Sequence, residues 1–188
     1  GRVFIVEVMG HKVGWLTLYA GVAGGADIIL LPEIPYDLDK VIAAIAKRNH
    51  DGKGFTILAV AEGAISKEDS LLSKKEYKQK RAKSKYPSVS YEIADRISEK
   101  LGSEVRVAVP GHTQRGGSPC PYDRVLCTRL GSAAAKAIID EDYGYMIAMI
   151  NGNTKRVPLA DVAGKLKMVD PKSQMIKEAK RTGICFGD

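Results

Sequence analysis

Val105-Arg106-Val107-Ala108-Val109, followed after Pro110 by Gly111-His112-Thr113-Gln114-Arg115-Gly116-Gly117, decides how this chain is read. The first five residues are an apolar, β-branched run of strand length, and the next seven a glycine-rich loop leaving its carboxyl end. That end of a strand is where open α/β sheets bind ligands. The loop sets an imidazole, an amide and a guanidinium on one tight turn. Arg115 offers a planar fork of donors suited to phosphate oxygens, and His112 adds another. Gly116 and Gly117 let the backbone come close to a ligand. On spacing alone, the stretch also reads as a glycine-rich turn with a solvated arginine.

Outward from this loop, apolar runs of strand length alternate with helical periodicity. Strands are expected at Val3 to Val8, Ile28 to Leu31, Phe55 to Ala61, Val105 to Val109 and Tyr145 to Ile150. Helices are expected at Val13 to Ala23, closed by Gly24-Gly25, at Leu38 to Arg48 behind an Asp37 cap, and at Ser88 to Leu101, stopped by Gly102. Two more are expected at Asp123 to Asp140 and at Pro171 to Arg181. Asn151-Gly152-Asn153 signals a hairpin into Thr154 to Val157. Strand alternating with helix predicts an α/β fold of three αβα layers, with a mostly parallel sheet and helices on both faces. Residues 66–87 interrupt the rhythm with polar and basic residues and no apolar stripe, and read as a basic, mobile insertion.

A chain of 188 residues suggests one domain, with or without an appendage. No apolar run approaches the roughly 20 residues of a membrane span, and no charged-then-apolar leader opens the chain, so no membrane partner is expected. Cys120, Cys127 and Cys185 are odd in number and form no metal-ligand pair; buried or idle thiols in a reducing cytoplasm and no metal site are expected. Seven cations between Lys74 and Lys85, against the single Glu76, account for most of the net charge of +7. Such a run reads as a solvated helix or a mobile loop. Tyr77 and Tyr86 are too few for a stacking platform, so no nucleic-acid partner is expected.

Three segments, in order, carry a resemblance. Val6-Glu7-Val8-Met9-Gly10 leads to Gly14-Trp15, Gly24-Gly25-Ala26-Asp27 and Leu31-Pro32-Glu33; Val60-Ala61-Glu62-Gly63 follows, and then the His112-to-Gly117 loop. The set resembles the 6-phosphofructokinases. The longer 66–87 connection resembles the group with ATP-, pyrophosphate- and mixed-donor members. The resemblance implies a phosphofructokinase-like fold and an enzyme that transfers phosphoryl from ATP or pyrophosphate to the 1-hydroxyl of fructose 6-phosphate in glycolysis. The family's Gly-Gly-Asp and Thr-Ile-Asp segments, which hold donor and metal and supply the proton-accepting aspartate, are absent from this sequence. The chain is therefore expected to be the carboxyl-terminal half, residues 1–188, with Mg²⁺ held mainly by an amino-terminal half. Residues 120–150 would pack on that half. A non-catalytic sugar-phosphate module is the alternative.

By the same resemblance, Met9 and Gly10 line the sugar, Glu62 accepts its hydroxyls, and His112, Thr113, Gln114 and Arg115 hold it. Arg2 and Arg106 reach the 6-phosphate in a neighbouring subunit's site, which implies a homodimer or tetramer. On the residues alone, Glu62 reads equally as a surface carboxylate at a strand end, and Arg106 as a surface partner on an edge strand. His11 stands where the family places an arginine that steadies the transferring phosphoryl group, and a neutral imidazole supplies no fixed charge. No catalytic residue of the donor side is present. Asp27 and Lys53 fall at effector positions of short bacterial relatives, but Asp51 replaces a basic residue there. An intact effector site is not expected, and Asp27 reads as a turn cap.

Overall fold

β1 (Arg2–Val8) is the inner strand from which the rest is built, and its alternation explains why. Val3 and Ile5 are buried on one face while Phe4 and Val6 remain half-buried on the other. A computed structural model describes residues 1–188, which divide into two compact units: 1–114 with 168–188, and 115–167.

In the first unit, β1 pairs in parallel with β3 (Phe55–Ala61) from Arg2↔Phe55 to Val8↔Ala61, and with β4 (Glu104–Ala108) from Arg2↔Glu104 to Val6↔Ala108. β2 (Ile28–Leu30) adds to β3, giving the all-parallel order β2-β3-β1-β4. α2 (Leu38–His50) and α5 (Val89–Leu101) cover one face, where Val41, Ile45, Ile93 and Ile97 pack on Val3, Ile5 and Leu58. α1 (Trp15–Ala23) and α8 (Gln174–Arg181) cover the other, with Leu18, Ile176 and Phe186 against Ile29, Leu31 and Ala59. These are the three expected layers. Each fully buried Leu or Ile here contributes about 1.5–3 kcal/mol of gross hydrophobic stabilisation.

Local signals set the ends. Asp37 accepts the Asp39 N–H at 2.9 Å and caps α2, as expected. α1 begins at Trp15 rather than Val13, because Gly10 to Val13 form a turn closed by Val13 N–H to Gly10 O at 3.1 Å. Gly14 then donates to both Glu33 oxygens at 3.0 and 3.1 Å, and a Cβ there would lie 2.7 Å from Leu31.

Residues 66–87 hold α3 (Lys67–Ser70) and α4 (Lys74–Ala82), and no residue of α4 is buried, so the lysine run takes the solvated-helix form of its two expected forms. Capping and ion pairs replace the missing apolar stripe. Ser73 and Glu76 form a reciprocal capping box. Arg81 meets Glu92 of α5 at 2.9 Å, Lys80 meets Asp69, and Tyr86 bonds Asp95.

The second unit holds α6 (Pro121–Ile139), the antiparallel hairpin β5 (Tyr145–Ile150) and β6 (Asn153–Pro158), and α7 (Leu159–Val162). Asn151 and Gly152 both take positive φ (50° and 75°), the conformation of a two-residue hairpin turn. The apolar residues of α6 are divided: α6 packs on the hairpin, burying Ala137 and half-burying Leu126 and Ala133, while Val125 and Ile138 stay exposed. Cys120 and Cys127 are exposed and Cys185 is half-buried, so the thiols are free but not buried. No helix is long and apolar enough to cross a membrane.

Candidate functional site

β1 and β3 end side by side at Val8↔Ala61, and both chains turn there. Glu62 N–H donates to Val8 O at 3.0 Å, and Glu62 Oε1 in turn accepts the N–H groups of Gly10 at 3.1 Å and His11 at 2.6 Å. Glu62 is therefore not an idle surface carboxylate: it fixes the Met9–Val13 turn. One side-chain oxygen carries both bonds. His11 sits at φ +54°, a left-handed conformation that costs a non-glycine residue about 1–2 kcal/mol and is held here by that bond. Gly63 makes the approach possible, since a Cβ on it would lie 2.2 Å from the His11 carbonyl oxygen.

The 3-10 turn Gly111–Arg115 joins this assembly through Gln114. Its Oε1 accepts the Met9 N–H at 3.2 Å, and its Nε2 donates to Gly111 O at 3.2 Å. The amide expected to face a ligand thus serves as a strut between two loops. His112 and Thr113 are exposed beside it. Three stretches distant in sequence, 9–11, 62–63 and 111–114, are laced into one site at the carboxyl end of the sheet. Arg115 is exposed and opens the second unit, so the predicted loop is split between the two units.

Arg2 and Arg106 come together elsewhere. Arg2 Nε lies 3.3 Å from Glu104 Oε2, and Arg106 donates to Glu104 Oε1 through Nε at 2.8 Å and Nη2 at 2.6 Å. These hydrogen bonds and the charges of Arg106 and Arg2 hold the Glu104 carboxyl below its usual range. Arg2 opens β1 whereas Met9 follows its last residue, so the cluster stands roughly 20 Å along the strand from the Met9 turn. Asp27 is committed to the fold: it pairs with Arg48 at 2.8 Å and accepts the Ile57 N–H at 2.8 Å.

Beside Glu62 the surface opens into a cleft of about 480 Å³. Glu7, His11, Lys12 and Glu62 line it from the strand ends, and Tyr77, Arg81 and Ser88 from the chain that follows α3. Glu7 is only 7% exposed, and its Oε2 has no hydrogen-bond partner; Ser88 Oγ lacks one as well. An unmet buried polar atom of this kind costs about 1–3 kcal/mol. The sequence held one signal for Glu7, a carboxylate in the core-facing register of Val3 and Ile5. Nothing in it placed Tyr77 or Arg81 near the strand ends. No three His, Cys, Asp or Glu side chains are grouped to hold a metal ion.

The sequence profile of the family described as Phosphofructokinase matches residues 1–138. An ATP-dependent 6-phosphofructokinase of Spirochaeta thermophila is 53% identical over 187 residues, covering 100% of this chain and 51% of that protein. The ATP-dependent 6-phosphofructokinase 3 of Bacteroides thetaiotaomicron is 42% identical over 186 residues, 99% of this chain and 50% of the relative. The chain spans about half the length of the curated relatives it matches. Phosphofructokinase from Pichia pastoris in the T-state superimposes with a TM-score of 0.68 at 34% identity, covering 85% of this chain and 16% of that one. A pyrophosphate-dependent phosphofructokinase from Marinobacter aquaeolei shares the fold, with a TM-score of 0.74 at 21% identity over 97% of this chain and 48% of that one. With the family profile matched over well more than half of its residues, the chain belongs to the phosphofructokinase family.

Proposed function

We propose that this chain supplies the acceptor-sugar side of a 6-phosphofructokinase, which transfers a phosphoryl group to the 1-hydroxyl of fructose 6-phosphate. The observation that carries this reading is the lacing of the Met9 turn, Glu62 and the Gly111–Gln114 turn into one site. The backbone of Met9 and Gly10 and the second oxygen of Glu62 face the sugar; His112, Thr113 and Arg115 take its phosphate side, with Gln114 holding their turn. Arg2 and Arg106 serve a neighbouring copy, which makes the working form at least a dimer with Arg106 near the interface. Residues 120–150 pack on chain that precedes this one in the whole enzyme. The relatives at 53% and 42% identity are named ATP-dependent, so ATP is the donor we favour.

Catalysis of this kind rests on positioning and on stabilising charge around the transferred group. The residues here contribute positioning: two backbone N–H groups locked by Glu62 cannot drift as a sugar binds. They group no three His, Cys, Asp or Glu side chains that could hold magnesium, and we place that ion mainly on the amino-terminal half. The absence of the family's Gly-Gly-Asp and Thr-Ile-Asp segments from this sequence favours a second reading, a sugar-phosphate binding module without turnover.

Calorimetry tests the function directly. Fructose 6-phosphate should bind the 188-residue chain, and Arg115→Ala should weaken it; unchanged affinity overturns the assignment. A coupled assay separates the two readings. The chain alone should give no turnover with ATP or pyrophosphate, and the full-length enzyme should turn over; an inactive full-length protein leaves the binding module. Light scattering that reports a monomer at high concentration contradicts the shared phosphate site.

A further inference from the structure

Glu62 and Gln114 hold the entrance of the Met9–Val13 turn, but a different carboxylate holds its exit. Gly14 follows the turn at the N-cap of α1, and its backbone N–H donates to both oxygens of Glu33, at 3.0 and 3.1 Å. Glu33 Oε1 also accepts the N–H of Val169 at 3.0 Å. Val169 stands 136 residues further along the chain than Glu33 and is only 1% exposed. It is the second residue of the first unit after the chain returns from residues 115–167. Two backbone donors from distant segments thus converge on one half-buried side chain. Glu62 does the same with Gly10 and His11 at the other end of the turn.

The support behind Glu33 is stiff. Leu31 and Ile34 are buried, and Ile34 N–H to Leu31 O at 3.3 Å closes the turn that carries Glu33. Pro32 fixes φ at the first central position of that turn. A Cβ on Gly14 would lie 2.8 Å from Glu33 Oε2 and 2.7 Å from Leu31 Cδ2, so glycine is what lets the carboxylate close on the backbone. The same support reaches the entrance: Pro32 Cγ lies 3.4 Å from where a Cβ on Gly63 would stand. A carboxylate accepts several N–H bonds and gives none, which suits a strut between two backbone segments.

We propose that Glu33 is a positioning residue for sugar binding. It fixes the exit of the acceptor turn against the Leu31–Ile34 support, and through Val169 it ties that turn to the segment by which the chain returns to the first unit. The proposal rests on the function above, which seats the sugar on this turn. Glu33 does not touch the sugar. It keeps Met9 and Gly10 in place, because a binding constellation has to be held to within about 0.5 Å by the groups behind it. The returning segment and the sugar site share one side chain, so tightening of one is felt at the other.

Calorimetry on the 188-residue chain with fructose 6-phosphate tests this role. In Glu33→Gln one oxygen becomes an NH2 group that only donates, and whichever way the amide turns it faces a backbone donor. Affinity should fall about ten-fold, the worth of one hydrogen bond to a charged acceptor. Leu58→Ala is the control: it empties a core site in the middle of β3, so it should lower the thermal midpoint and leave affinity as in the parent. A folded Glu33→Gln chain that binds as the parent does, whatever its stability, overturns the proposal. Amide exchange of the parent decides even if that variant does not fold. Saturating fructose 6-phosphate should slow the Gly14 and Val169 amides together with residues 9–12, and a Val169 amide indifferent to the ligand overturns the proposal. A parent chain that does not bind fructose 6-phosphate refutes the proposed function itself, whereas normal parent binding with an indifferent Glu33→Gln refutes only this role.

Discussion

The two units are built from similar elements and differ in what covers them. In the first, helices close both faces of a four-stranded sheet, and Ile5, Leu18, Leu58, Ile93 and Ile176 are at most 1% exposed. In the second, Ala137 is the only buried apolar residue. Tyr122, Val125, Ile138, Ile139 and Tyr143 are each at least 60% exposed. One helix on a two-stranded hairpin has a single covered face, and such a layer cannot enclose a core of its own. Regular backbone structure therefore does not report stability. The second unit carries an apolar surface that, on the proposed function, another part of a longer enzyme covers.

Truncation in each unit gives the largest expected contrast. Leu58→Ala in the first should lower unfolding free energy by about 2–5 kcal/mol, the range for emptying a well-packed core site. Val125→Ala in the second should change it by about 0.5 kcal/mol or less. Urea midpoints decide between them, and equal losses would abolish the distinction between the units.

Within the first unit, the laced turns separate from the core. Gly63→Ala drives a Cβ onto the His11 carbonyl, and the turn must yield. A loss of about 1–3 kcal/mol is expected, together with weaker fructose 6-phosphate binding. A variant with parental stability and affinity would show that the close approach is dispensable.

Ser73→Ala removes one half of the capping box and should cost about 1 kcal/mol, confined to α4. Faster amide exchange at Glu76 and Tyr77, with β1 and β3 unchanged, is the expected pattern; uniform loosening of the sheet would make α4 part of the core.

The smallest effect concerns Glu104. Its carboxyl is held below the ordinary 4.5 by Arg106 first and Arg2 second. A lowered folded value means the pairing stabilises fully above the unfolded value and is lost as pH falls through the folded one. Arg106→Ala should move the Glu104 titration, followed by NMR, upward toward 4.5. A titration that stays in place would show that Arg106 does not hold it.

The sequence exposed the first unit well because its signals are local and redundant. β-branched runs alternate with helical stripes, and Asp37 marks a helix start that the structure confirms. Residues 66–87 were opaque because capping and ion pairs to Asp69, Glu92 and Asp95 hold them, and these leave no apolar period to read. The division of the apolar residues of α6 was also hidden: whether Ala137 or Ile138 is covered depends on where the hairpin lies. In the candidate site, Glu62 and Gln114 were visible as residues but not as struts. Their partners are backbone N–H groups, which every residue carries and no motif announces. Glu7 was visible only as a charge out of pattern.

Hydrogen–deuterium exchange of the chain with and without fructose 6-phosphate tests the central claim, that three loops of the first unit form one acceptor site. Slowed exchange is expected together at residues 9–12, 62–63 and 111–114, with α6 and the hairpin exchanging fast in both states. Protection confined to one of these loops, or absent from all three at saturating ligand, would contradict it.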